Sequence, residues 1–208
     1  MPVWDEVNAR SGGVNLQIVP QKWPTTRLDS PDLPSPGRDS HPTMPILDPH
    51  TLEFFSRSPE QTRRVGMRLG AILQTGDVVG LVGDLGSGKT TFVQGIAAGW
   101  GSLDQVSSPT FVLINQYRRP IDGLLFHLDA YRLENASEAE ELDLEPMLNQ
   151  GPLLVEWADH IDGALPAERL WIVMRWMAEE QRGMRISGQG KRYEKIVASL
   201  RQIVFGVA

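Results

Sequence analysis

The residues best suited to chemistry form one run. Gly83-Asp84-Leu85-Gly86-Ser87-Gly88-Lys89-Thr90 reads G-x-x-x-x-G-K-T, and Thr91 follows. Glycines at this spacing let the backbone turn sharply and aim successive N–H groups at one point, which makes an anion cradle. Lys89 adds a cation that can reach terminal phosphates, and the Thr90 hydroxyl can ligate Mg2+. The chemistry implied is nucleoside-triphosphate binding by the backbone of residues 84–91. The N/T-K-x-D pattern that reads guanine in GTPases is missing from the chain, which leaves ATP as the expected nucleotide.

Hydrolysis also needs carboxylates near the metal and the attacking water, and a group that senses the terminal phosphate. Two acids follow apolar runs. Asp129 follows Leu124-Leu125-Phe126-His127-Leu128, and Glu156 follows Leu153-Leu154-Val155. Either can be the metal-associated acid at the end of an apolar strand, and residue types alone leave open which. Thr110, stiffened by Pro109, is a candidate switch hydroxyl. Trp157 either shields the site, stacks on a ligand or packs in the core. Arg182 sits in a turn from which it can reach a nucleotide. His127 alternates against its apolar neighbours and reads as structural.

Each of these groups needs an element to hold it. Val78 to Val82 is long enough for a buried strand, and Phe92, Val93, Ile96, Ala97 and Trp100 fit one face of a helix after the loop. Strand, glycine loop and helix in that order are the context such a motif requires. Before them, Ser58 can cap a helix, Pro59 suits its first position and Gln61 completes a capping box. Val65, Leu69, Ile72 and Leu73 continue that helix, which is expected to end at Gly76 and to pack beside the strand. Further strands are expected over residues 112–117, 124–128, 153–157, 170–175 and 184–187, with a hairpin turn at 118–123 and one helix in the acidic stretch 134–145. Tyr193, Ile196, Val197, Leu200 and Val204 fit one face of a last helix. The fold class expected is α/β: a three-layer P-loop NTPase-like domain, its central sheet mixed but mostly parallel and flanked by helices.

Composition bounds the rest. The 208 residues allow one domain with a sizeable core, and a net charge of −6 gives no overall basic footprint for nucleic acid. There are no cysteines, which fits a reducing compartment and excludes thiolate metal sites. No run approaches the roughly 18–20 apolar residues of a membrane helix, and the first residues lack the pattern of a signal peptide. A cytoplasmic protein without a membrane association is expected. Nine of the 15 prolines fall in the first 50 residues, among Ser, Asp and Thr. Such a segment buries too little apolar surface to offset its ordering entropy, so residues 1–50 read as a disordered extension and 51–208 as the domain. Residues 16–19 within it have the composition of a short strand or docking motif.

The loop, Ser108-Pro109-Thr110-Phe111, His127-Leu128-Asp129-Ala130-Tyr131-Arg132 and Glu156-Trp157 occur in an order and spacing that resemble the bacterial TsaE (YjeE) ATPases over residues 51–187. That family usually has Ala where this chain has Ser87. The resemblance implies an ATPase required for N6-threonylcarbamoyladenosine in tRNA. It would act through a complex of the TsaD and TsaB proteins, and would meet tRNA only indirectly. It further implies that Asp84, Leu85, Gly86, Ser87, Gly88, Lys89, Thr90 and Thr91 bind ATP and that Thr90 and Glu156 serve Mg2+. Asp129 would be the essential acid, Thr110 the switch threonine and Trp157 its site tryptophan. Arg182 and Thr62 would lie at the nucleotide. The same loop and size also suit a small-molecule kinase or a nucleotide-gated binding module.

Overall fold

The structure is a computed structural model, and it describes residues 50–109, 112–120 and 123–205. The expected extension with its 16–19 motif, and the switch residue Thr110, lie outside the described residues. In chain order the elements are β1 (Thr51–Ser56), α1 (Pro59–Gly70), β2 (Val78–Val82), α2 (Lys89–Trp100), β3 (Ile114–Arg118), β4 (Leu124–Asp129), α3 (Ala136–Glu140), α4 (Glu145–Leu148), β5 (Leu153–Glu156), β6 (Arg169–Trp176), β7 (Arg182–Gln189) and α5 (Lys191–Phe205). Short 3₁₀ turns cover Ala130–Arg132 and Ala158–Ala164.

The strands form one sheet in the order β1-β7-β6-β2-β5-β4-β3. Its middle, β6-β2-β5-β4, is parallel, whereas β7 and β3 run antiparallel to their neighbours. The sheet is therefore mixed, with most strands pointing one way. β2 lies between two parallel partners and has helices or turns on both faces, so its sequence is an unbroken apolar run rather than an alternation. Its one interruption, Gly80, is a packing requirement, because a Cβ there would meet the Trp171 ring.

Two buried clusters flank the sheet. One joins α1, α2 and α5 to the face that carries Leu81, Leu125 and Leu154. The other packs Phe126, Leu128, Val155, Ala158 and Ile161 on the opposite face. Neighbouring β5 residues alternate between the clusters, as the period of a strand demands. His127, Asp129 and Glu156 therefore share the α2 side of the sheet with Leu125 and Leu154.

Several boundaries differ from expectation, each for a local reason. Ser58 does cap α1, accepting from the Gln61 N–H at 3.2 Å, while the Gln61 side chain reaches back to the Arg57 N–H at 2.7 Å. The helix stops at Gly70 with Ala71 as its cap, short of Gly76, whose φ of 86° instead turns the chain into β2. Its main partner is α2 rather than the strand. β3 starts at Ile114 rather than at 112, because the Val112 and Leu113 N–H groups turn back to the Pro109 carbonyl. The acidic stretch is two short helices, broken where Asp143 takes a φ of 45°. β1 has no counterpart among the expected strands; it joins the sheet edge by pairing with β7, from which it is far in sequence.

Candidate functional site

The phosphate-loop motif joins the end of β2 to α2. Gly83 has a φ of 145°, and a Cβ on it would collide with the Met174 carbonyl of β6. Glycine there lets the loop lie tight against the neighbouring strand. Gly88 is the N-cap of α2 in left-handed backbone (φ 98°, ψ 16°), with no side-chain cap. The first N–H groups of α2 are thus not covered by a capping side chain, and they lie at the positive end of the helix. Ser87 behaves differently. Its hydroxyl is buried without a hydrogen-bond partner among the described residues. An orphaned hydroxyl costs roughly 1–3 kcal/mol, so Ser87→Ala is expected to raise the melting temperature, measured by thermal denaturation without nucleotide.

A cleft of about 270 Å³ opens over this loop. Leu85, Gly86, Gly88, Lys89, Thr90 and Thr91 line it from the loop, and Asp129, Glu156 and Trp157 from the carboxyl ends of β4 and β5. Ligands in open α/β sheets bind at such strand ends. Thr62, Ser108 and Arg182 close its sides. Asp84 and Ser87 belong to the loop but do not line the cleft; the Asp84 carbonyl contributes by accepting from Lys89.

The two acids are direct neighbours. Parallel pairing of β4 with β5 sets Asp129 opposite Glu156 in register. Glu156 Oε2 accepts from the Thr90 hydroxyl at 3.0 Å, which ties β5 to the first turn of α2. Asp129 Oδ1 accepts from the Tyr131 N–H at 3.0 Å and Oδ2 from the Ser108 hydroxyl at 3.3 Å. Both acids are buried. Lys89 donates to the Gly83 and Asp84 carbonyls at 2.5 and 3.1 Å, and its ammonium lies 3.7 Å from the centre of the Trp157 ring. Burial pushes the Lys89 ammonium below the usual lysine value, while Glu156, Asp129, Asp159 and Asp84 pull the other way.

Trp157 holds its place at a conformational cost. It has a φ of 58° and a ψ of 40°, a region that bulky side chains avoid. Its ring lies against those of Tyr131 and His160, 5.1 and 5.6 Å away by centroids. Strain of this kind survives where surrounding contacts over-determine it, and such places cluster at functional sites.

Arg182 and Thr62 also reach the cleft. The Arg182 guanidinium donates to the carbonyls of Ala178, Glu179 and Gln181, so it stands braced against its own turn. The Thr62 hydroxyl is 2.7 Å from that of Ser56 and 3.3 Å from the Ser58 carbonyl.

Three features are not legible from residue types. Ser108 bonds Asp129, Tyr131 and His160 brace Trp157, and His127 is bound to Glu156 at 3.0 Å. Ser108 and Tyr131 do fall inside the sequence motifs, but His160 carries no signal at all.

A magnesium ion suits this donor set. Among the described residues no three His, Cys, Asp or Glu side chains converge as a self-sufficient metal site. One hydroxyl and one carboxylate 3.0 Å apart are instead the partial, all-oxygen set that Mg2+ uses when phosphates and water supply the rest. Among the described residues no helix is long and apolar enough to cross a membrane.

Comparison with known proteins agrees with this geometry. The family model for the threonylcarbamoyl adenosine biosynthesis protein TsaE matches residues 56–184. The TsaE protein of Bacillus subtilis is 42% identical over 151 residues, covering 72% of this chain and 93% of that one. The TsaE protein of Streptomyces coelicolor is 38% identical, covering 63% and 93%. The crystal structure of Bacillus subtilis YdiB superposes with a TM-score of 0.62 at 34% identity, covering 74% of this chain and 96% of that one. With a matching model across most of its domain and a glycine loop facing paired acids, the chain belongs to the TsaE family.

Proposed function

We propose that this protein is a Mg2+-dependent ATPase needed to make N6-threonylcarbamoyladenosine in tRNA, and that its hydrolytic cycle resets a TsaB–TsaD transferase complex in the cytoplasm. The observation that carries the reading is the register of Asp129 against Glu156, beside the loop that bears Lys89 and Thr90. The names of the relatives point to the same pathway.

The roles follow from placement. Loop N–H groups and the start of α2 bind the phosphates, and Lys89 exchanges its loop carbonyls for terminal phosphate oxygens. Thr90 and Glu156 would hold Mg2+, which would supply charge neutralisation for the bound triphosphate. Asp129 orients a water on the terminal phosphate and takes its proton at Oδ2 as the water oxygen bonds to phosphorus and the bond to the ADP oxygen breaks. Trp157 keeps bulk water from Lys89.

A kinase reading finds less support. It needs mobile arginines over the cleft, yet Arg118 is paired with Asp104 at 2.8 Å and Arg119 lies 4.0 Å from the Trp100 ring. Phosphate release from ATP is expected to be slow for the protein alone, to vanish when EDTA removes Mg2+, and to change on adding TsaB and TsaD. Steady-state release assays check this. Metal-independent turnover, or efficient phosphate transfer to nucleosides or sugars, would contradict it.

A further inference from the structure

Behind Glu156 runs a polar chain, buried at His127 and Tyr117 and exposed at Ser107 and Ser108, for which phosphate binding has no use. His127 is fully buried, and its Nε2 lies 3.0 Å from Glu156 Oε1, the oxygen not used by Thr90. An ionised carboxylate only accepts, so Nε2 carries the proton of this bond. Nδ1 of the same ring lies 3.2 Å from the Tyr117 hydroxyl. That hydroxyl has one proton to give, to Nδ1 or to the Ser107 carbonyl 3.1 Å away, while the Asn115 amide donates to the same carbonyl at 3.2 Å and to the hydroxyl oxygen at 3.3 Å. The next residue, Ser108, bonds Asp129. The chain thus leaves one acid, passes through β4 and β3, and returns through the segment before Pro109 to the other acid.

Register explains how neighbouring strands build it. Antiparallel pairing puts Asn115 opposite His127, and Tyr117 lies two residues along the same face. A buried polar chain costs free energy unless every member is satisfied, and an apolar trio would be the simpler core.

We propose that His127 and Tyr117 are positioning residues: they hold Glu156 with Oε2 turned to Thr90, and they tie that setting to the 107–109 segment that reaches Asp129. The proposal rests on the ATPase reading for its kinetic consequence but not for its geometry. A carboxylate held at only one oxygen can swing about its last bond. The chain holds the second oxygen, so the hydroxyl–carboxylate pair is already set before a metal arrives.

Tyr117→Phe tests this, because it keeps the ring in the core and deletes only the hydroxyl. Its melting temperature is expected within a few degrees of the parent. With Mg2+, kcat for ATP should fall about tenfold while KM for ATP stays within about twofold, the signature of lost positioning rather than lost binding. Independently of activity, ¹H–¹⁵N spectra without nucleotide or metal should show an exchange-protected His127 Nε2–H that moves or disappears in Tyr117→Phe. Parent kcat in the variant, a rise in KM alone, or an unchanged His127 ring proton each overturns the proposal. A parent that hydrolyses no ATP would sink the ATPase reading instead, and the ring proton would then decide the positioning claim by itself. His127→Asn, at a fully buried site, serves only as a second variant if it folds.

Discussion

Asp129→Ala is expected to bind ATP as the parent does and to hydrolyse it at least about a hundredfold more slowly, the usual loss when a positioned acid or base is removed. Asp129 closes β4 directly opposite Glu156, whereas on the function proposed above the grip on the nucleotide comes from the loop N–H groups and Lys89. Binding and chemistry should therefore separate. The carboxylate also has a structural role, because Oδ1 caps the 3₁₀ turn at Ala130–Arg132 through the Tyr131 N–H. Loss of such a cap costs about 1 kcal/mol. Asp129→Asn retains an oxygen for that cap but no base, so it distinguishes the two roles. Both variants should show the rate loss, and only Ala the lowered melting temperature. Recovery of turnover in Asn would leave Asp129 with the structural role alone. Fluorescent-nucleotide titration and single-turnover hydrolysis are the measurements.

The second large effect concerns stability. Gly66 and Gly70 on α1 face Gly95 and Gly99 on α2, and the spacing of four on each helix puts each pair on one side. A Cβ on Gly70 would meet the Ile96 carbonyl, and one on Gly99 the Met67 carbonyl, both closer than 3.0 Å. These are backbone atoms on rigid helices, so no side chain can rotate away. Glycine to alanine within a helix ordinarily gains about 1 kcal/mol, and overpacking ordinarily costs about 1–3 kcal/mol or more. With backbone as the obstacle the second should win. Gly70→Ala and Gly99→Ala are each expected to lower unfolding free energy by about 1–2 kcal/mol net, and Gly99→Val by more. Urea denaturation reads this directly. Because α1 brings Pro59 and Thr62 to the cleft, KM for ATP should rise in the same variants. A gain in stability for either alanine variant would mean that the helices are not in backbone contact.

The two cases also show what kind of information the chain carries openly. The loop is readable because its function needs particular residue types at fixed local spacing: glycines for backbone torsion, then Lys89 and Thr90. The capping of α1 by Ser58 and the apolar stripe of α5 are readable for the same reason, since helix caps and faces depend on residues three or four apart. The acids at 129 and 156 can be picked out because each ends an apolar strand.

What local spacing does not encode is which strands lie side by side. The antiparallel edge pairing of β1 with β7 and the register of Asp129 with Glu156 join residues far apart in sequence. The glycine contact between α1 and α2 is likewise a meeting of two separate patterns, each of which looks like a weak helix on its own. His127 shows the limit most clearly. Alternation along β4 marks it correctly as facing the other way from its neighbours, but its partners Glu156 and Tyr117 come from two other strands. The chain by itself determined the phosphate loop, its strand and helix, and the two acids, because those depend on torsion and burial along short stretches. Only the folded sheet decided that the acids face each other and that the buried pair His127 and Tyr117 stands behind one of them, because strand register is set by packing across the whole domain.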